Sequence, residues 1–116
     1  MVTPGSLSEK VAIREVAEMT VKCLKENIPS DLPGVAFLSG GQTELEATAH
    51  LNEMNKIGEF PWKLSFSYGR ALQQSALKAW SGQSENIFIA QDELSHRAEM
   101  NKLAALGQWD IKLEDR

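Results

Sequence analysis

Apolar residues recur along this chain in two alternating rhythms, and the alternation predicts the architecture. The largely apolar set Ile13, Val16, Ala17, Thr20, Val21 and Leu24 falls on one face at a 3.6-residue period, predicting a helix. Pro29 and Pro33, with Asp31 between them, close it. The continuous run Gly34 to Leu38 then reads as a parallel strand covered on both faces. Thr43 and Glu46 form a T-x-x-E capping box heading a second helix, with Ala47, Leu51 and Met54 inward and Gly58 as its cap. Phe60-Pro61-Trp62 leads into a strand at Lys63 to Phe66 and a turn at Ser67 to Gly69. The helix that follows turns Leu72, Ala76, Ala79 and Trp80 inward and stops near Gly82. A last helix, from near Ser84 to near Gly107, carries the face Ile87, Ala90, Leu94, Ala98, Asn101 and Ala105, with Phe88 and Ile89 beside it.

Met1 to Thr3 reads as the end of a further strand, stopped by Pro4-Gly5, and this hints at a chain that is incomplete upstream. The expected order is β-α-β-α-β-α-α, an α/β arrangement of parallel βαβ units with right-handed crossovers. The tail, Gln108 to Arg116, is mixed in character and is expected to be loose.

Composition adds limits. The 116 residues bound the chain to one ordinary domain at most, and 42% apolar with 24% charged fits a soluble globular protein. A net charge of −4 supplies no broad basic face, which argues against nucleic acid but leaves room for a local cationic pocket. Cys23, in the last turn of the first helix, stands alone and is expected to pack as a small apolar group. It provides neither a disulfide nor a metal cluster, and favours a reducing compartment. No apolar run reaches the ~20 residues of a membrane span, and no targeting segment is visible.

Two strand-to-helix turns carry the candidate chemistry. In Ser39-Gly40-Gly41 the glycines lack Cβ atoms, so the chain can take positive φ and bring its amides close to a ligand. Ser67-Tyr68-Gly69-Arg70 repeats the arrangement and adds a guanidinium, a planar fork of donors suited to phosphate. The Ser39 and Ser67 hydroxyls are further donors. Both turns precede helices, whose N-termini attract anions, and both lie at the C-terminal edge of a parallel sheet, where α/β folds bind ligands. A serine and glycine after a strand also serve simply to turn the chain and cap a helix, Arg70 fits a solvated helix position, and Tyr68 fits a packing role. The pattern accommodates either use.

Other chemistry is poorly supported. His50 and His96 lie on separate helices without a metal-ligand pattern, so no metal site is expected. Glu44, Glu46, Glu53 and Glu59 read as helix capping and a solvated face. Neither a Gly-x-Ser-x-Gly elbow nor a Walker loop is present.

The segments Val35-Ala36-Phe37-Leu38-Ser39-Gly40-Gly41-Gln42-Thr43-Glu44 and Lys63-Leu64-Ser65-Phe66-Ser67-Tyr68-Gly69-Arg70-Ala71-Leu72-Gln73 resemble the class I fructose-bisphosphate aldolases. So do Met1-Val2-Thr3-Pro4-Gly5, Leu51-Asn52-Glu53-Met54-Asn55 and Leu103-Ala104-Ala105-Leu106-Gly107. The resemblance covers residues 1–107 in order and implies the C-terminal part of a TIM (β/α)8 barrel: the end of strand six, then strands seven and eight with their helices. It leaves 108–116 as a divergent tail. It implies a lyase of glycolysis and gluconeogenesis that reversibly cleaves fructose 1,6-bisphosphate to dihydroxyacetone phosphate and glyceraldehyde 3-phosphate. The chemistry runs through a lysine Schiff base, with no metal or other cofactor. The matching phosphate-binding positions are Ser39, Gly40, Gly41, Ser67, Gly69 and Arg70, with Tyr68 in a supporting place.

No catalytic residue carries over. The family's Schiff-base lysine stands three residues before its Met-Val-Thr-Pro-Gly, a position that here precedes Met1, and Lys63 does not replace it. The 116 residues alone are therefore expected to be inactive and to fold poorly, with strand edges left unpaired. The alternative is a truncated, catalytically dead remnant that acts as an interaction protein. The resemblance further implies a sugar-phosphate ligand, a homotetramer for the complete enzyme and a cytoplasmic location, a plastid location requiring a transit peptide upstream.

Overall fold

The computed structural model describes residues 1–116. Its elements are α1 (Ile13–Asn27), β1 (Gly34–Phe37), α2 (Glu44–Ile57), β2 (Lys63–Phe66), α3 (Arg70–Trp80) and α4 (Ile87–Ala105). Single 3-10 turns occupy Ser84–Asn86 and Ile111–Glu114. β1 and β2 pair in parallel with Val35 opposite Leu64 and Phe37 opposite Phe66. These four side chains face the helices. The opposite face stays open, with Gly34, Ala36 and Lys63 exposed and Leu38 72% exposed. The expectation of a strand covered on both faces thus fails for this chain: its helices all pack on one side.

Nothing pairs with Met1–Thr3, which is not a strand. Without a ladder to join, the Val2 N–H is given to the Thr20 hydroxyl at 2.9 Å, and Met1 rests against the core.

α2 is the hub, touching α1, α3, α4 and β2. Its expected inward residues Ala47, Leu51 and Met54 are fully buried, and burying a leucine or methionine stabilises by about 1.5–3 kcal/mol. Thr43 caps it, accepting from the Glu46 N–H at 3.1 Å, and Gly58 ends it at φ 64°. Asn55 joins the hub to its neighbours, its side-chain amide lying 3.1 Å from Ala104 O on α4 and 3.3 Å from Leu64 O on β2. On α1, Val16, Ala17, Thr20 and Val21 are buried as expected, but Cys23 is exposed. Its position in the last turn faces solvent because α1 has only α2 to lean on.

The inward faces of α3 and α4 also differ from expectation. Only Ala71 is fully buried on α3, and Trp80 is 44% exposed at the far end of the helix. On α4 the buried set is Arg97, Met100, Asn101 and Ala104, while Ile87, Phe88, Ile89 and Leu94 are exposed. A polar network explains the shift. Arg97 makes two hydrogen bonds to Glu114, Nη2–Oε1 2.7 Å and Nη1–Oε2 2.9 Å, and stands 3.7 Å from Glu44. Glu44, read from sequence as part of a solvated face, instead turns inward and accepts from Ser75 Oγ.

The tail is not loose. Trp109 N–H donates to Asn52 Oδ1 at 2.9 Å, its indole donates to Glu114 at 2.8 Å, and Arg116 pairs with Asp92 and Glu93. A buried arginine requires a carboxylate, and the tail provides it. No helix is long and apolar enough to cross a membrane.

Candidate functional site

The two turns lie side by side because the ladder continues past the strands: the Ser67 N–H donates to Phe37 O at 2.8 Å. Ser39 to Gln42 is a tight turn closed by Gln42 N–H to Ser39 O at 3.2 Å, and Gly40 takes φ 58° within it, a conformation natural to glycine. The second turn leads directly into α3, with the Leu72 and Gln73 N–H groups both given to Gly69 O.

Arg70 bridges the turns. Its Nη2 donates to Gly40 O at 3.0 Å, and no carboxylate neutralises it. The N–H groups of Gly40, Gly41 and Gly69 have no acceptor within the chain, nor do the Ser39 and Ser67 hydroxyls make a hydrogen bond. An added Cβ at Gly40, Gly41 or Gly69 would meet nothing within 4 Å. Unpaired amides, the exposed Ser67 hydroxyl, a free guanidinium and the N-terminus of α3 make a donor-rich surface without a negative charge, with Ser39 buried at its base.

One sequence-level residue is turned elsewhere. A trans peptide holds C=O and N–H antiparallel, so a Gly40 carbonyl directed at Arg70 sends the Gly41 N–H the opposite way. Gly41 accordingly lines a separate groove of about 540 Å³, together with Thr3, Ser6, Lys10, Glu46 and His50.

Tyr68 sits beneath the turns rather than in them. It is buried, its hydroxyl donates to Ala47 O at 2.8 Å, and burial raises its phenol well above the ordinary 10.0. It therefore anchors the second turn to α2 as a neutral donor.

Several residues that hold this surface in place carry no sequence motif. Glu44, the first residue of α2, is tied to Ser75 of α3 and faces Arg97 of α4, so the helices behind the two turns share one buried polar knot. Gln42 and His50 brace the first turn from behind. The T-x-x-E box marked where α2 starts, but only the tertiary arrangement shows which polar residues point inward.

The class I fructose-bisphosphate aldolase family model matches residues 1–116. A probable class 1 fructose-bisphosphate aldolase of Xanthomonas axonopodis pv. citri is 56% identical over 111 residues, covering 94% of this chain and 33% of that protein. The cytoplasmic isozyme of fructose-bisphosphate aldolase from Cicer arietinum is 58% identical over 110 residues, covering 94% and 31%. Among solved structures, fructose-bisphosphate aldolase from Plasmodium falciparum, in a complex with TRAP and a small-molecule inhibitor, superposes with a TM-score of 0.85 at 48% identity. That match covers 89% of this chain and 30% of the other. The chain spans about a third of the length of the curated relatives it matches.

Proposed function

The chain belongs to the class I fructose-bisphosphate aldolase family, and from that premise we propose that it supplies the substrate-phosphate site of a Schiff-base aldolase. β1 and β2 are taken as strands seven and eight of the barrel, with the open sheet face turned to its interior. The reaction is the reversible cleavage of fructose 1,6-bisphosphate to dihydroxyacetone phosphate and glyceraldehyde 3-phosphate. The chickpea relative's name as a cytoplasmic isozyme supports a cytoplasmic setting.

The observation that carries this reading is the Arg70–Gly40 bridge, which brings an unneutralised guanidinium to a turn with unpaired amides. A phosphate group is the ligand that suits such a surface: it takes several N–H donors at once, and a guanidinium fork matches two of its oxygens. In this arrangement Arg70 exchanges its Gly40 acceptor for phosphate oxygens. The amides of Gly40 and Gly69 and the hydroxyls of Ser39 and Ser67 complete the cradle. The Gly41 N–H is directed to the separate groove instead.

These residues bind; they do not cleave. A Schiff-base lysine must lose its proton readily, which burial beside apolar or cationic groups brings about. Every lysine of this chain is exposed, so the 116 residues by themselves bind the substrate phosphate without catalysis. The test is a titration of the chain with inorganic phosphate, followed through backbone amide resonances, beside an assay for triose phosphate release from fructose 1,6-bisphosphate. The expected result is saturable shifts at Gly40, Gly69 and Arg70 with no triose phosphate formed. Absent shifts would refute the phosphate site, and turnover by this chain would refute the assignment of a binding role alone.

A further inference from the structure

His50 sits on the buried side of α2 at 4% exposure, directly behind the Ser39–Gln42 turn. Its Nδ1 lies 2.6 Å from Gln42 Oε1, and Gln42 Nε2 lies 2.9 Å from Ser39 O. The chemistry of these atoms sets the direction of both bonds. A backbone carbonyl only accepts, so the Gln42 atom facing Ser39 O is the amide NH2. Gln42 therefore presents its oxygen to His50, and the imidazole must carry its proton on Nδ1. Nε2 is left as a bare acceptor with no partner in the chain, at the edge of the groove that His50 lines. Burial keeps the ring neutral by lowering its pKa from 6.5.

The turn that this pair braces needs an outside support. Gly40 and Gly41 have no side chains to hold their conformation, and glycine loses more freedom on ordering than any other residue. An amide that must be ordered by its ligand binds it less tightly than one already in place. α2 is the most buried helix of the chain, so a tether from it lends rigidity to the glycines.

We propose that His50 is a positioning residue for the phosphate site, its Nδ1–H fixing Gln42, which holds the Ser39 carbonyl and so aims the Gly40 amide at the anion. The inference rests on reading the two turns as a phosphate cradle. It adds a contact that neither a glycine motif nor a capping box announces.

The experiment is a set of inorganic phosphate titrations of the 116-residue chain, read at the Gly40 and Gly41 amide resonances. The proteins compared are the wild type, His50→Leu, His50→Asn, Gln42→Leu and the His50→Leu/Gln42→Leu pair. Loss of one neutral hydrogen bond corresponds to about fivefold to tenfold in affinity, expected for His50→Leu and for Gln42→Leu. His50→Asn should restore binding, since its Nδ2–H stands where the imidazole Nδ1–H was. The double variant should lose no more than either single one, because both act through the same contact. A nitrogen-15 spectrum of the wild-type ring should place the proton on Nδ1.

Additive losses, failure of His50→Asn to rescue, or a proton on Nε2 would each overturn the proposal. Should His50→Leu not fold, the comparison of Gln42→Leu with wild type and the ring spectrum decide it. A wild type that ignores phosphate would refute the phosphate reading instead. In that case the ring tautomer, together with the Gly40 and Gly41 resonances of Gln42→Leu, still decides the tether: unchanged glycine resonances would refute it.

Discussion

The guanidinium of Arg70 donates to the carbonyl oxygen of Gly40 at 3.0 Å, joining two turns that are 30 residues apart in the chain. Arg70 is exposed, so this bond adds little to stability, since water competes for both partners. Its value is to hold the cation over the turns.

Arg70→Ala should therefore weaken binding of inorganic phosphate by about tenfold to a hundredfold, the equivalent of one charge-assisted hydrogen bond of about 1.5–3 kcal/mol. Its unfolding free energy from urea should stay within ~0.5 kcal/mol of wild type, as for exposed substitutions generally. Arg70→Lys should recover part of the affinity, keeping the charge but losing the fork. Calorimetric titration beside urea unfolding checks all three. An Arg70→Ala protein with unchanged phosphate affinity would remove the residue from the site.

Arg97 makes the opposite case, for it is 4% exposed and bound by the Glu114 carboxylate on two sides. Arg97→Ala should destabilise by about 3–5 kcal/mol, because Glu114 and Glu44 would keep buried charge without a cation. Glu114 supplies a matching pH signature. Burial pushes its carboxyl up, but hydrogen bonds from Arg97, Trp109 and His96 together with the Arg97 charge outweigh that, leaving it below the ordinary 4.5. Its stabilisation is therefore intact above pH 4.5 and lost as pH falls through the lower folded-state value. Glu114→Gln should flatten that part of the acid unfolding curve. An unchanged acid limb would show that another carboxylate governs it.

How far the sequence speaks depends on what kind of order each element uses. β2 falls at Lys63 to Phe66 as the pattern predicts, and α2 starts at its Thr43 cap and buries Ala47, Leu51 and Met54. Those features are local: a strand bounded by turn residues, a capping hydroxyl, a 3.6-residue stripe. α4 was read by the same stripe and came out rotated: Asn101 is buried as expected, but the helix also buries Arg97, Met100 and Ala104 and leaves Ile87 and Leu94 outside. Hydropathy has no term for a charged residue whose partner lies 17 positions away in the tail. The same partner explains why 108–116 docks rather than frays. At the turns, the sequence marks Ser39, Gly40, Gly41, Ser67, Gly69 and Arg70 as candidates, but the direction of the Gly40–Gly41 peptide depends on Arg70 reaching across from another element. Strand edges and helix packing set such features, and they have no local sequence signal.

Gly107 ends α4 at φ 69°, and a Cβ there would lie 3.3 Å from Asn55 O and 3.2 Å from Asn55 C. The obstacle is backbone of α2, which cannot swing aside. Gly107→Ala should cost about 1–3 kcal/mol from the left-handed conformation alone, and the close contact adds to it. Gly40→Ala has an equally left-handed φ but open space around it. It should therefore lose less stability than Gly107→Ala by urea unfolding. Equal losses at the two glycines would show that contact with Asn55 adds nothing.

His50 gives the molecule a second, separable pH response. Burial lowers its pKa from 6.5, the nearby Glu46 carboxylate works against that, and the Met1 amino group reinforces it. The Lys10 ammonium also lines the groove beside it. Because the folded-state value is depressed, the unfolded chain takes up a proton that the folded chain refuses. Stability is thus fully present above pH 6.5, and it falls as pH drops below 6.5 until the folded-state value is passed. Protonation would also place a charge on a buried ring that leans on the Ser39–Gln42 turn. Unfolding free energies measured by urea between pH 8 and pH 5 should consequently decline for wild type and stay flatter for His50→Asn, which keeps a donor toward Gln42 but does not titrate. Glu114→Gln should leave this interval unchanged, since Glu114 already carries its charge throughout it. A His50→Asn protein whose slope matches wild type would assign the response to another group.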